Sequence, residues 1–464
     1  PQPGGRARRL NAAPAAPRFT RPRFARNLPR SVLAWCGRRE RGERRVSLKL
    51  RLIVMNFLQF FIWGAWLITI GRYWFENQGW SGTSFGAIFS TMGISALFMP
   101  ALMGVVADKW INAEKLYGVL HIGGAVMLFL VPAVGDPETM FWVMLVNMLF
   151  YMPTISLAIA VAYNALKESG QDVIRDYPPI RVWGTIGFIA AMWTTSLLKL
   201  ETSPGQFYVA AAASLMLGLY AFTLPRCPPR LSLSESRALV DVLGLTSFRL
   251  FKNRNMAVFF IFAMLLGAAL QLTNAYGGAF LGEFSNDPRY VDAIAVKYPA
   301  IILSISQISE TLFILTIPFF LRRFGIKAVM TMSMIAWFLR FGLFAYGDPG
   351  AGLWMIILSC IVYGMAFDFF NISGSLFVEQ QANPAIRASA QGLFMLMTNG
   401  IGAILGSAIS GWMIDAFFTA ADGSKDWHGI WLTFAVYALA MAIVFVPLFR
   451  HKHDPDAVRR AQQR

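Results

Sequence analysis

The sequence predicts an all-α membrane protein with twelve transmembrane helices in two halves of six. Its composition is that of a membrane protein, because 56% of the 464 residues are hydrophobic and only 14% are charged. Soluble domains are about half apolar and about a quarter charged. Apolar segments long enough to cross a bilayer recur along the chain, and one long polar segment divides them into two sets.

A helix needs about 20 mostly apolar residues to cross a hydrocarbon core about 30 Å thick. The segments that meet this requirement are 50–73, 83–106, 114–133, 139–164, 179–199, 207–225, 255–282, 298–321, 327–346, 352–379, 386–414 and 427–450. The polar linker 226–254 lies between the sixth and the seventh. We therefore predict an amino-terminal six-helix bundle at 46–225, a carboxy-terminal six-helix bundle at 255–450 and a tail at 451–464.

Residues 1–45 differ from the rest of the chain in charge. They carry thirteen arginines against two acidic residues, which accounts for +11 of the net charge of +16. They are rich in Pro and Ala and lack apolar periodicity, so we expect a disordered basic extension. A nucleic-acid-binding arm and a transit peptide are alternative interpretations. Because no folded nucleic-acid-binding module accompanies the segment, we expect no nucleic acid partner.

The distribution of Lys and Arg between the loops predicts the orientation of the chain in the membrane. The basic loops hold Lys109, Lys115, Lys167, Arg175, Arg226, Arg230, Arg237, Arg249, Lys252, Arg254, Arg322, Arg323, Lys327 and Arg387. The opposite loops hold only Arg72, Lys199, Arg289, Lys297 and Lys425. Since basic loops face the cytoplasm, we predict a multi-pass protein of the cytoplasmic (inner) membrane with both termini in the cytoplasm.

Metal, redox and hydrolytic chemistry find little support in the sequence. The three cysteines are scattered, and the four histidines form no metal-ligand spacing inside a predicted span. A membrane-embedded enzyme would need a nucleophile with a base, or a metal set, at mid-membrane. No histidine in the predicted spans is placed for that task, so we expect neither an enzyme nor a bound metal or cofactor.

Polar and ionisable side chains nevertheless interrupt several predicted spans. An ionisable residue at the bilayer centre costs about 2.5–3.5 kcal/mol on insertion scales, so it usually faces a cavity or a partner. The segment LSISQISETLFILTIPFFL, residues 303–321, places Glu310 near the middle of a helix. Side chains three, four or seven residues apart share one helix face. The sets so grouped are Arg181, Thr185 and Phe188; Gln271 and Asn274; Gln307, Glu310 and Thr311; and Tyr363, Phe367 and Asn371, with Asp368 beside Phe367.

These faces combine hydrogen-bond donors, acceptors and aromatic rings. The combination suits a flat, polar, uncharged ligand that stacks on an aromatic face and forms hydrogen bonds at its rim, although sugars would also satisfy it. The alternative is that the amides and hydroxyls only bond neighbouring helices and that each arginine pairs with an acid. For Arg340, in the ninth predicted span, we favour an ion pair within the helix bundle.

A loop motif links this architecture to a known superfamily. GVVADKW, at 104–110, resembles the cytoplasmic Gly-x-x-x-Asp-Arg/Lys signature of the major facilitator superfamily. At the corresponding place in the second half, LRRFGIK, at 321–327, matches that signature less well. That fold has two six-helix halves with the substrate site between them near mid-membrane. We expect Asp108 and Lys109 to gate the cavity by latching the cytoplasmic helix ends. A solvated, positively charged loop is the alternative.

Longer stretches resemble one family within that superfamily, the bacterial nucleoside permeases of the nucleoside:proton symporter family. They are FLQFFIWGAWL, FMPALMGVVADKW, YPPIRVWGTIGF, FFIFAMLLGAALQLTN, SISQISETLFILTIPFF, FDFFNISGSLFVE and PAIRASAQGLFMLMTNG. The resemblance implies proton-driven import of purine and pyrimidine nucleosides, with the proton as coupling ion. It implies a nucleoside site formed by Arg181, Thr185, Phe188, Gln271, Asn274, Gln307, Glu310, Tyr363 and Phe367. It also implies a coupling role for Asp368, and Glu310 is our second candidate for that role.

The resemblance extends from about Val46 to His453, so residues 1–45 have no counterpart in it. Because a GTG codon can serve as a start, Val46 suggests that residues 1–45 derive from an assigned start upstream of the native one. Two functional alternatives remain open. The chain would be either a transporter of a related solute, such as xanthosine or a sugar, or a nucleoside receptor that does not transport. In each case we expect a monomer in a lipid bilayer.

Overall fold

Helices make up most of the chain in the computed structural model, which describes residues 30–229, 245–383 and 386–451. They are α1 Arg30–Gly64, α2 Ile70–Arg72, α3 Gly82–Lys109, α4 Ala113–Leu130, α5 Pro137–Glu168, α6 Val173–Leu197, α7 Gly205–Ala221, α8 Arg254–Glu283, α9 Ile294–Lys297, α10 Pro299–Leu303, α11 Ile305–Tyr346, α12 Leu353–Gln381, α13 Arg387–Met395, α14 Ala403–Phe417 and α15 Trp427–Leu448. Two π-helical segments, Tyr73–Asn77 and Leu396–Gly402, follow α2 and α13. Within the described residues, the β pairing is limited to one isolated bridge between Thr419 and Lys425.

Short polar side chains fix where several helices begin. Ser81, Asp136, Asp172 and Asp426 accept hydrogen bonds from backbone N–H groups in the first turns of α3, α5, α6 and α15. Such caps satisfy donors that have no partner inside the helix. Pro137 follows the cap of α5, at a position where its missing N–H costs nothing. Loop composition therefore sets the boundaries between the apolar helices.

Eight helical segments in the described part of the chain are long and apolar enough to cross a membrane. They are Gly82–Lys109, Ala113–Ala133, Pro137–Glu168, Arg254–Asn286, Pro299–Tyr346, Leu353–Gln381, Ser389–Phe417 and Trp427–Leu448. The fifth of these, with 48 residues, covers two predicted spans. Gly325 interrupts it with a φ of 79°, a left-handed conformation that glycine adopts without a steric penalty.

The amino-terminal region departs from the expected boundaries. Helix α1 begins at Arg30, where we expected disorder, and ends at Gly64, before the predicted span is complete. Hydrogen-bonded turns over 65–69 then lead to α2. Residues 1–29 of the predicted extension, 230–244 of the predicted linker and 452–464 of the predicted tail lie outside the described residues.

Large apolar side chains cover the outside of the helices. Phe129, Leu315, Phe319 and Ile443 are each more than 60% exposed. Monomeric soluble proteins rarely expose contiguous apolar patches larger than a few hundred Å². These side chains fit contact with lipid, and the all-helical membrane class predicted from composition is confirmed at this level.

Small residues bring neighbouring helices into backbone contact. A Cβ atom added at Gly402 or Gly406 would meet the Met264 carbonyl or the Ala268 backbone on α8. Gly402 and Gly406 are four residues apart, and small residues at this spacing let two helix backbones approach closely. A different cluster holds the first bundle together. The Gln59 side chain donates to the Thr154 hydroxyl over 2.9 Å and accepts from the Tyr117 hydroxyl over 2.6 Å.

Candidate functional site

A cavity of about 1170 Å³ lies between the amino-terminal and carboxy-terminal helices. Typical small-molecule sites measure about 300–1,000 Å³, so it has room for a nucleoside-sized ligand. All nine predicted substrate-binding residues line it: Arg181, Thr185, Phe188, Gln271, Asn274, Gln307, Glu310, Tyr363 and Phe367. Helical spacing had grouped these side chains together with Thr311 and Asn371, which do not line the cavity. The roles of the nine residues toward a ligand remain predictions.

Helix α6 supplies the amino-terminal side of the cavity. Arg181, Thr185 and Phe188 lie along one face of this helix, which packs closely on α1. The Arg181 guanidinium lies 4.0 Å from the centre of the Phe60 ring, in cation–π geometry. Arg181 also interacts electrostatically with Glu310 across the cavity. Arg181 and Glu310 thus line the cavity from different halves and form no direct salt bridge with each other.

Helices α8, α11 and α12 supply the opposite side. The Ser309 hydroxyl donates to the Ile361 carbonyl, and Gly364 lets the α11 backbone approach α12 at this point. This contact sets the register between Glu310 on α11 and Tyr363 on α12. The rings of Tyr363 and Phe367 are parallel within 1°, with centres 5.8 Å apart. Together the two rings form an aromatic wall beside the polar groups.

Several polar groups of the cavity have no protein partner. Within residues 30–229, 245–383 and 386–451, the side-chain oxygens of Gln271 and Gln307 accept no hydrogen bond although they are buried. The structure shows no side-chain hydrogen bond between described residues for Asn274, Arg181 or Glu310 either. A buried polar group left unpaired costs about 1–3 kcal/mol. The alternative in which these side chains only bond neighbouring helices is therefore not what the described residues show.

Asp368 occupies a different position from the nine cavity residues. It is 4% exposed and does not line the cavity, although it interacts electrostatically with Glu310. Its Oδ2 atom is buried and has no hydrogen-bond partner among the described residues. In the same part of the chain, no three His, Cys, Asp or Glu side chains are close enough to hold a metal ion. The predicted coupling carboxyl lies behind the cavity wall.

The cavity extends to the carboxy-terminal end of α3. Asp108 and Lys109 line it there, and Asp108 is exposed. Neither residue forms a salt bridge with a described residue. The described residues therefore show no latch of the kind that we expected between cytoplasmic helix ends, and the gating role of Asp108 and Lys109 stays a prediction.

The opposite end of the cavity is closed where α3 meets α14. The Asp415 carboxylate accepts hydrogen bonds from the Gly82 and Thr83 backbone N–H groups, over 2.7 and 2.6 Å, and from the Thr83 hydroxyl over 2.6 Å. A Cβ atom at Gly86 would meet the Ser407 carbonyl, and one at Gly411 would meet the Gly82 carbonyl. We call these six residues the α3–α14 interface. Its backbones touch, so this end cannot open without their separation.

An ion network strengthens the same closed end. Arg72 pairs with Glu76 over 2.7 Å and with Glu201 over 3.2 Å. Glu201 is nearly buried and also accepts a hydrogen bond from the Ala300 N–H in the first turn of α10. The Trp193 indole N–H donates a further hydrogen bond, over 2.9 Å, to the hydroxyl of Ser304, which directly precedes α11. The bonds of Glu201 to Ala300 and of Trp193 to Ser304 join the two halves, and the Arg72 pairs hold Glu201 in place within the first half.

Arg340 does not form the ion pair that we favoured from the sequence. It is 1% exposed, and no acidic side chain of the described residues forms a salt bridge with it. Its guanidinium donates to the Ser359 carbonyl over 2.7 Å and to the hydroxyls of Ser306 and Thr273 over 3.3 and 3.4 Å. The prediction failed because backbone carbonyls and hydroxyls supply the acceptors, and sequence spacing does not show which carbonyls are free.

Sequence reasoning missed several side chains that line the cavity. Trp63 and Phe60 on α1 belong to it, as does Asn399 in the π-helical segment after α13. An aromatic side chain in an apolar span carries no comparable signal, because most such residues pack in a core or face lipid. Asn399 could have been found, since an amide within an apolar helix is the same signal that identified Asn274. The π-helical turn changes which face it occupies, so regular spacing would not have placed it.

Known proteins resemble this chain over nearly its whole length. A family model described as Nucleoside H+ symporter matches residues 46–454. The chain is 54% identical to the xanthosine permease of Escherichia coli over 418 residues, which are 89% of this chain and 99% of that protein. It is 52% identical to the Escherichia coli nucleoside permease NupG over 409 residues, 88% and 97% of the two chains.

A solved structure agrees with the sequence matches. The crystal structure of the nucleoside transporter NupG superposes with a TM-score of 0.82 at 52% identity, covering 87% of this chain and all of that one. These relatives are permeases, in agreement with the expectation of a transporter rather than an enzyme. By sequence and by fold, the chain belongs to the nucleoside:proton symporter family.

Proposed function

We propose that this protein imports nucleosides together with protons through the cavity between its two halves. The observation that carries the proposal is the lining of that cavity. Nine side chains of the types that hold a nucleoside converge there, and their amide oxygens lack protein partners. Membership of the family supports the same activity. No cofactor is required, since the proton is the coupling ion.

The architecture that we propose has twelve crossings in two bundles, 46–225 and 255–450, joined by the linker 226–254 and followed by the tail 451–464. Eight long apolar segments support it, and the segment Pro299–Tyr346 contributes two crossings because Gly325 interrupts it. Helices α1, α6 and α7 supply the other three. Helices α1 and α6 contain charged residues, and α7 has only 17 residues. For these reasons none of the three is counted among the eight long apolar segments.

We propose that both termini lie in the cytoplasm of a bacterial cell and that the protein spans its inner membrane. The basic loop set supports this orientation, and it contains Lys109 at the open end of the cavity. The closed end holds Arg72, which belongs to the opposite loop set. The conformation is then inward-facing. A single chain encloses the cavity, and we propose the monomer as the transporting unit.

Each side of the cavity would contact a different part of the nucleoside. Glu310 and Gln307 lie one turn apart on α11 and would accept hydrogen bonds from the ribose hydroxyls. Gln271 and Asn274 each offer both a donor and an acceptor, which suits the edge of a base. The parallel rings of Tyr363 and Phe367 would stack on its face.

Replacing Glu310 with glutamine is expected to weaken uridine binding about 5- to 10-fold. A hydrogen bond to a charged acceptor is worth about 1 kcal/mol more than one to a neutral acceptor, and the substitution removes only the charge. Titration calorimetry on the purified protein measures the dissociation constant. Glu379→Gln is the matched control, because Glu379 is half-exposed and pairs with Arg387 away from the cavity lining. Equal affinities in both variants would remove Glu310 from the site.

Asp368 is the group that we propose for proton coupling. An ionised carboxylate without donors is costly in a buried site. Its protonation would therefore depend on whether the surrounding helices expose it, and alternating access changes that exposure. Glu310, which interacts with it electrostatically, is the second candidate.

The proposed activity is tested by uptake of radiolabelled uridine into cells that lack their own nucleoside carriers, with and without a protonophore. We expect uridine to accumulate above its external concentration and the protonophore to abolish that accumulation. Uptake that only equilibrates and ignores the protonophore would identify a facilitator. Binding without any uptake would favour the receptor alternative.

A second candidate substrate is xanthosine. The xanthosine permease of Escherichia coli is as similar to this chain as the nucleoside permease is, at 54% against 52% identity. Competition separates the two candidates, with unlabelled xanthosine and unlabelled adenosine each added to the uridine assay. Inhibition by adenosine alone would assign the chain to general nucleoside transport, and stronger inhibition by xanthosine would assign it to xanthosine.

A further inference from the structure

Arg340 is a buried charge that the proposed mechanism does not use. It lies in the second half of α11, 1% exposed, and does not line the cavity. Placing an arginine inside a membrane bundle is costly, and such residues are usually paired or functional. It donates hydrogen bonds to groups on α8, α11 and α12, and the Cys360 thiol on α12 also interacts with it, so the guanidinium is held in one place from three helices.

The Arg340 guanidinium also contacts the Tyr363 ring, which belongs to the aromatic wall of the cavity. Its central carbon lies 4.5 Å from the centre of the Tyr363 ring and 5.1 Å from the centre of the Phe344 ring. Tyr363 lines the cavity, whereas Phe344 is fully buried and does not. The cation therefore supports Tyr363 from outside the cavity, at a distance where cation–π attraction acts.

Two further aromatic rings contact Tyr363, namely Phe367 and Trp337. Phe367 stacks parallel to Tyr363, so a shift of one ring displaces the other. The rings of Trp337 and Tyr363 are perpendicular, at 89°, with centres 5.9 Å apart. Within the described residues, the Tyr363 hydroxyl makes no hydrogen bond, so it does not fix the ring. The ring is therefore held by packing, with the Arg340 guanidinium, Trp337 and Phe367 as its neighbours.

We propose that Arg340 is a positioning residue of the nucleoside site: it holds the Tyr363 ring, and through it Phe367, in the plane on which the base stacks. The inference rests on the proposed function, because it needs a base in this cavity. It differs from a purely structural role in one respect. A structural arginine would affect stability alone, whereas this one sets substrate affinity through a single ring.

The test is a double-substitution cycle on uridine affinity, measured by titration calorimetry with purified full-length protein. We expect Arg340→Gln to weaken binding about 10-fold, as loss of a desolvated cation–π contact allows, and Arg340→Lys to restore most of the affinity. In a Tyr363→Leu background, Arg340→Gln should change affinity less than about twofold, because the ring it positions is gone. In a Phe344→Leu background the full loss should remain.

Two results would overturn the inference. One is wild-type affinity in Arg340→Gln, and the other is an equal loss with and without the Tyr363 ring. If Arg340→Gln does not fold, Thr273→Val removes one acceptor at nearly constant volume. The affinity loss is then smaller but must also vanish in the Tyr363→Leu background, and its persistence would contradict the proposal. Failure of the proposed function is distinguishable, because it shows in the wild-type protein, as missing accumulation or missing binding of uridine, and does not depend on any Arg340 variant.

Discussion

Replacing Asp368 with asparagine is expected to abolish accumulation of uridine while leaving its binding intact. One proton carried through 100 mV supplies about 2.3 kcal/mol, which allows roughly 50-fold accumulation of a neutral solute. An amide cannot bind and release that proton, so the variant should only equilibrate uridine. Asp368 lies behind the cavity wall and not in it, and for that reason affinity should change little. The measurement is the ratio of internal to external uridine at steady state.

The control for this experiment is Asp292→Asn. Asp292 is 93% exposed and pairs with Lys297, the last residue of the short helix α9. The variant loses the same charge far from the cavity and should accumulate uridine as the wild type does. If Asp368→Asn still accumulates uridine and remains sensitive to the protonophore, the coupling carboxyl is another group, and Glu310 is the next to test.

Replacing Gly411 with valine is expected to lower the rate of uridine uptake about 5-fold or more. A side chain there would meet the Gly82 carbonyl, so the α3–α14 interface could no longer close. Overpacking typically costs about 1–3 kcal/mol, which shifts a two-state equilibrium by about 5- to 150-fold. The transporter would then populate conformations in which this end is open. The initial rate of uptake measures the effect.

Gly342→Val is the matched control for that substitution. A Cβ atom at Gly342 meets nothing within 4 Å, so the same added volume enters open space on α11. Its uptake rate should remain close to the wild-type rate. Wild-type transport by Gly411→Val would mean that this interface does not need to close during the cycle. Loss of uridine binding in Gly411→Val would point to misfolding instead, and the milder Gly411→Ala then replaces it.

Hydropathy predicted the long helices well because a membrane imposes one simple requirement on each of them. A segment must be apolar over its full length and must satisfy its backbone hydrogen bonds internally. Local interruptions follow no such rule. The turns over 65–69 and the left-handed Gly325 depend on how neighbouring helices meet. The helical start at Arg30 was likewise hidden, since an arginine-rich composition resembles that of a disordered segment.

The cavity residues were predictable for a related reason. A polar side chain in an apolar helix is conspicuous, and helical spacing shows which ones share a face. Contacts between halves were not predictable. Nothing in the sequence pairs Asp415 with the start of α3, since 332 residues separate Asp415 from Thr83. The acceptors of Arg340 were equally hidden, because one is a backbone carbonyl and two are hydroxyls on other turns.

The account depends on proton movement with the nucleoside, and purified protein in liposomes tests that most directly. A pH-sensitive dye is enclosed in the liposomes, and uridine is added outside. We predict acidification of the interior that depends on uridine, is absent in liposomes without protein and is lost in Asp368→Asn. Entry of labelled uridine with no change in internal pH would contradict the account and leave the protein a facilitator.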